Sequence, residues 1–421
     1  MYARTGGHRR HLRSGSWIAS CDASINDRFL HLMLRRYVVT RVVAGIFGLL
    51  IFLTVVFFLT RLLIPGDFTT NFAVGSGGAF ADLAARLGLN RPLWQQYLLW
   101  LGGVLSLDLG RNPGGPPVLQ LVLTALPWTL TMFALGIGSA FWVGSHVGRW
   151  SGWRRSLSTP TSLGAATLSS IFPPWLVFLA FYFSLNLFGF RFFNSVTALD
   201  FYLWETVQEH RVLWTMLVTI FGPLLFSVAV QRLISTRRAQ RIWRVASRSA
   251  IPVFAVIVWN QTGIMAHALD LLGFLVLPVL VLFLLSVGDV ILVVSASMDG
   301  LVDADFVTTA RAKGLTERQV RERHAGRVAL LPALSRLTAN LPFALGGLVI
   351  IEASFGRLGG YRIDVPGVSS VLFGSLRQRN FLVTMGGLIV VGVITLMVRI
   401  VLDLAAATMD PRIQLERARH G

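Results

Sequence analysis

Eight stretches of this chain are apolar over a length that crosses a lipid bilayer, which leaves the polypeptide few ways to fold. They run over 42–60, 126–148, 160–189, 212–231, 249–269, 271–296, 337–353 and 380–398. Lipid offers no partner to a free amide or carbonyl, so a spanning stretch of about 20 residues closes its own hydrogen bonds as a helix. The expected fold is therefore all-α, a polytopic transmembrane helical bundle. Only 14% of the 421 residues are charged, where a soluble chain carries about a quarter.

The charge that remains lies between the stretches. Arg149, Arg154 and Arg155 share one short loop, and Arg232, Arg237, Arg238, Arg241, Arg244 and Arg248 share another. The segment 299–336 is basic too. Arginine-rich short loops stay on the cytoplasmic side, so both termini are expected in the cytoplasm. One loop dissents: 356–379, expected outside, holds Arg357, Arg362, Arg377 and Arg379. The net charge of +18 is read as contact with the anionic headgroups of the lipid bilayer, and no nucleic acid is expected as a partner.

A single cysteine, Cys21, excludes an internal disulfide, and the scattered histidines give no metal-ligand spacing. No metal, cofactor or catalytic residue is expected. Residues 1–36 form a basic extension, and Met33 is a second candidate start. A P-loop needs a lysine after glycine, but the sole lysine, Lys313, follows Ala312. Energy for any transport must then come from a partner or a gradient. Asp289 is the one charge inside 271–296. A carboxylate at mid-membrane costs about 2.5–3.5 kcal/mol, so Asp289 either lines a path or sits where the span ends. Gly144 and Gly148 have the spacing of close helix packing, a match that chance also produces in a chain with 40 glycines.

Residues 303–332 read DADFVTTARAKGLTERQVRERHAGRVALLP. Residues 310–313 favour helix, Gly314 breaks it, and Thr316 can cap a second helix, with Gln319 at the capping-box position. The charged second helix suits contact with protein, not lipid. In the segment 65–125, short helices are expected over 79–87 and Leu93–Leu105, interrupted at Gly88 and by the Gly/Pro cluster 112–117.

This pattern resembles the cytoplasmic coupling loop of ABC-importer permeases of the dipeptide, oligopeptide and nickel class. The residues that carry it are Asp305 and Phe306, then Thr309, Ala310, Arg311, Ala312, Lys313, Gly314 and Leu315, then His324, then Pro332 eighteen residues after the glycine. Leu63-Ile64-Pro65-Gly66-Asp67, Leu107-Asp108-Leu109-Gly110, Glu352 with Phe355, and Asp410-Pro411-Arg412-Ile413 fit the same class in chain order. Val328 departs from it, standing where asparagine is usual.

The resemblance covers 40–200 and 270–413, so 205–269 reads as an inserted pair of spans. It implies a type I importer permease-like organisation: a first helix at 37–64, an extracytoplasmic helical segment at 65–125, and two spans over 126–204. The inserted pair, a core at 270–410 carrying the loop 299–336, and a tail at 411–421 follow. It further implies cytoplasmic ABC ATPase subunits, a second homologous permease and an extracytoplasmic solute-binding protein as partners. Peptides are the expected cargo, with nickel and oligosaccharides used by relatives. Asp289 and Glu352 are the candidate path-lining residues. The alternative, a gradient-driven secondary transporter, needs coupling charges buried in several spans.

Overall fold

The structure is a computed structural model that describes residues 39–62, 91–112, 115–197, 204, 207–234, 236–358 and 367–409. The extension 1–36, the helix expected over 79–87 and the tail 411–421 lie outside these residues. The chain divides between Ile51 and Phe52 into two units. The division falls within helix α1 (Val39–Leu62).

The second unit continues through α2 (Leu93–Leu105), α3 (Val118–Trp153), α4 (Arg155–Ser169), α5 (Pro173–Thr197), α6 (Glu209–Leu233), α7 (Arg237–Gln261) and α8 (Met265–Asp299). The short helix α9 (Asp305–Ala312) and a turn at Glu317–Gln319 follow. A π-helical stretch, Val320–Ala325, then leads directly into α10 (Gly326–Leu358), and α11 (Val368–Arg377) and α12 (Phe381–Met409) close the chain. Seven of the described helices are long and apolar enough to span, or eight if α4 and the part of α5 up to Gly189 count together.

The centre of the bundle is α8 packed along α3. Lipid tails are as apolar as leucine, so spans associate through close packing and not through escape from water. Here α3 supplies a stripe of small residues four apart: Gly136, Ala140, Gly144, Gly148 and Gly152. A Cβ built on Gly144 would stand 2.8 Å from the Cβ of Val290, and one on Gly148 the same distance from the Cβ of Val294. The spacing noted at Gly144 and Gly148 is thus a contact surface. On its other side, Gly288 of α8 receives the backbone of α4 at Ala165 and Ser169.

Several boundaries differ from the sequence reading: α7 begins at Arg237, within the arginine-rich stretch read as a loop, and α10 at Gly326, ahead of the stretch read from 337. The stretch 160–189 is not one straight helix: α4 and α5 meet at 97° across a break of a few residues. Pro173 and Pro174 explain the stop, because the residue before a proline disfavours helical backbone. The helix expected from 126 starts at Val118, immediately after Pro116 and Pro117, which suit a helix start but not its interior. The break expected at Asp270 falls at 262–264 instead, where Gly263 takes a positive φ of 73°.

At the upper end of the bundle, Asp108 closes a tight turn by accepting a hydrogen bond from the Gly110 amide at 3.0 Å. Tyr97 and Trp100 pack against Phe57 with ring centroids 5.3 Å away, while Trp94 stays exposed. Phe57 also meets Phe381 of α12 edge-on at 5.2 Å. Tyr97 and Trp100 are therefore packing groups.

Candidate functional site

At the lower end, α9 and the turn after it form a helix–turn–helix whose local chemistry is complete. Asp305 lies in the first turn of α9 and Arg311 in its last, each complementing the helix dipole. Gly314 ends the helix with φ 77°, a left-handed backbone that costs other L-residues about 1–2 kcal/mol. The Gln319 amide then donates to Thr316 Oγ1 at 3.3 Å, and the Thr316 amide donates to Gln319 Oε1 at 3.0 Å. This is the capping box expected from the sequence.

One face of the segment is buried. Val307, Ala310, Val320 and Ala325 join Val290, Val294 and Met298 of α8 in one apolar cluster, with Leu315 half-buried against it. Fully burying a valine contributes about 1.5–3 kcal/mol, so Val307 and Val320 hold the segment firmly. The other face is open: Asp305, Thr309, Ala312, Lys313, Gly314, His324 and Pro332 are exposed, and Phe306 is 41% exposed. The signature residues thus fall mostly on the free face, with Ala310 and Leu315 turned inward.

Polar contacts fasten the same segment to α3 and α4. Arg311 Nε donates to Glu317 Oε1 at 2.8 Å, and Trp153 Nε1 donates to Glu317 Oε2 at 3.1 Å. The Arg311 guanidinium also lies over the Trp153 ring, 5.4 Å from its centroid. Glu317 precedes the apolar part of α10, and its hydrogen bond from Arg311 holds the carboxyl below the ordinary carboxylate range. Arg155 pairs with Asp303 at 2.6 Å and Arg149 with Glu322 at 3.1 Å. Exposed pairs such as Arg155–Asp303 are worth about 0–1 kcal/mol. Their contribution is register, not bulk stability.

The two candidate path-lining residues occupy different environments. Asp289 sits half-buried in a groove between α8 and α10, where Asn340 Nδ2 donates to its Oδ2 at 2.8 Å. Ser286, Arg336 and Phe343 line the same groove. Glu352 is fully buried. Its Oε1 accepts from Thr129 Oγ1 of α3 at 2.8 Å and its Oε2 from the Ser369 amide at 2.9 Å. Thr129 Oγ1 in turn accepts from the Val368 amide at 2.9 Å. Together they satisfy the free amides at the start of α11 and tie it to α3 and α10. A Cβ on Gly367 would strike the Glu352 carboxyl, so the backbone approaches as closely as only glycine permits. Nothing local in the sequence pairs Thr129 with a carboxylate 223 residues away. Among the described residues, no three of His, Cys, Asp and Glu converge to hold a metal ion.

Comparison with known proteins agrees with this architecture. The family described as "Binding-protein-dependent transport system inner membrane component" matches residues 212–415. A Brucella ovis protein named as a peptide permease is 28% identical over 390 residues, covering 90% of this chain and 99% of that protein. The dipeptide transport system permease protein DppB of Escherichia coli is 26% identical over 358 residues, covering 84% and 91%. The oligopeptide transport system permease protein OppB of Haemophilus influenzae is 22% identical over 387 residues, covering 90% and 99%.

A polytopic helical bundle with these likenesses is a membrane transport component. More specifically, the likenesses support an inner-membrane permease subunit of an ABC importer, the relatives being named as peptide, dipeptide and oligopeptide permeases. The gradient-driven alternative is not favoured.

Proposed function

We propose that the chain passes peptides or a related small solute across the plasma membrane and receives its power stroke through residues 303–332. The observation that carries this reading is the division of that segment into two faces. Val307, Ala310 and Val320 fix it to α8, while Phe306, Lys313 and His324 stand free for a protein partner. A cytoplasmic ABC ATPase, which hydrolyses the ATP, binds that free face. Motion at His324 passes to α10 without an intervening loop, because Val320–Ala325 and α10 follow one another directly.

A second homologous permease completes the path, and an extracytoplasmic solute-binding protein delivers the cargo. Peptide cargo rests on the names of the relatives. The arginines of 149–155, 232–248 and 299–336 support a cytoplasmic side for these loops and, with them, cytoplasmic termini. Asp289, in a groove that opens between α8 and α10, lines the path. Glu352 serves as the anchor of α11, which its full burial and three-helix bonding support.

The test is uptake by cells carrying the whole importer. Gly314→Pro, or deletion of 311–324, is expected to abolish uptake while the permease still inserts and co-purifies with its permease partner. Undiminished uptake in both variants would overturn the coupling role. So would labelling of Lys313 by an impermeant reagent added from outside.

A further inference from the structure

We propose that the hairpin of α6 and α7 holds one anionic phospholipid, with an acyl chain in the groove between the helices and its phosphate among the arginines at their lower end. The groove has a volume of about 490 Å³, within the range of small-molecule sites. Gly222, Ala246 and Ala250 make its floor, and Phe226, Trp243 and Phe254 its walls. Phe226 is 65% exposed and Phe254 48%, so the groove opens outward from the hairpin. It runs from Trp243 to Phe254 along α7, about 16 Å at the helical rise, which matches an extended acyl chain and not a compact solute.

The wall at the lower end is fixed. Trp243 Nε1 donates to the Ser227 carbonyl of α6 at 3.1 Å, across the hairpin. Tryptophan with a polar nitrogen and an apolar body favours the level of the lipid headgroups. In sequence, the stretch 232–248 carries six arginines and no acidic residue. Arg238 and Arg244 are exposed, and neither makes an ion pair among the described residues. An apolar slot whose end residue Trp243 is followed directly by the exposed Arg244 complements a two-part ligand, a hydrocarbon tail with an anionic head. A zwitterionic lipid would fill the slot but leave the arginines unmatched, and free phosphate would match them but leave the slot empty.

The experiment uses the full chain in nanodiscs of phosphatidylcholine doped with phosphatidylglycerol, with retained lipid read by native mass spectrometry. One phosphatidylglycerol is expected to survive delipidation, and glycerol phosphate should not displace it. Arg238→Gln with Arg244→Gln should weaken retention roughly thirtyfold, the effect of two arginines near an anionic surface. Ala250→Trp, which fills the floor, should abolish it. The exposed arginine pair leaves the packing of the hairpin intact, so that variant reports on the site even if Ala250→Trp fails to fold. Equal retention of the two lipids, displacement by glycerol phosphate, or retention unchanged in the arginine variant would overturn the proposal. None of these outcomes depends on transport.

Discussion

Trp153, the last residue of α3, and Glu317, in the turn before α10, stand 164 residues apart in sequence and share a hydrogen bond of 3.1 Å. Arg311 completes the set by donating to the same carboxylate and stacking over the same ring. The helix–turn–helix is therefore registered on a span it does not belong to.

Trp153→Phe keeps a ring beneath Arg311 and removes the bond. The loss expected is about 0.5–1.5 kcal/mol, the net worth of one hydrogen bond, too little to unfold the chain. Its effect should fall on coupling. In reconstituted importer, transport per ATP hydrolysed is expected to drop several-fold, measured by parallel uptake and phosphate-release assays. Glu317→Gln should act in the same direction, since it weakens the partner of both Arg311 and Trp153.

Gly314 separates backbone conformation from side-chain contact, because a Cβ there meets nothing within 4 Å. Its only demand is φ 77°. Gly314→Asn should therefore retain most uptake, as asparagine tolerates left-handed backbone. Gly314→Val should lose at least about 1–2 kcal/mol locally and much of the uptake. Comparing the two in one uptake assay, at matched membrane content, checks this.

At Gly148 the demand is space. A Cβ would approach the Cβ of Val294 to 2.8 Å, so the helices must separate. Gly148→Leu is expected to cost more than the roughly 1–3 kcal/mol typical of an overpacked core and to lower the thermal transition of the purified protein steeply. Gly148→Ala should give a smaller shift in the same direction, and Gly138→Ala, which meets open space, should give little.

Removing the Glu352 carboxyl leaves Thr129 and the Ser369 amide without their acceptor. Each unpaired buried group costs about 1–3 kcal/mol. Glu352→Ala should accordingly speed hydrogen exchange at Val368 and Ser369 well beyond that at Leu348, one turn away in α10. Equal exchange at Ser369 in both proteins would show that α11 is held by other means.

Local signals were legible in the sequence and long-range ones were not. Leu93–Leu105 and the Thr316–Gln319 box depend on neighbours within a few residues, so residue order specifies them. The 97° bend between α4 and α5 was hidden because hydropathy records what a stretch is made of and not its direction. Pro173 and Pro174 marked the place, yet Pro127, Pro278 and Pro342 lie within helices that continue. The packing at Gly144 and Gly148 needed Val290 and Val294 as partners, and the sequence does not align α3 with α8. The anchoring of Glu352 likewise joins three distant segments, and a lone glutamate in an apolar stretch is equally compatible with a path.

The π-helical stretch Val320–Ala325 carries one residue more than an ordinary helix uses for the same advance. That surplus sets the rotational phase between the free face at Lys313 and the groove at Asn340. Shortening the stretch by one residue offers a regular helix with the two ends still in phase. A one-residue change farther along α10 would turn everything beyond it by about 100°. The wide turn is thus the one place in this connection where chain length can change without re-aiming what the membrane-embedded half presents.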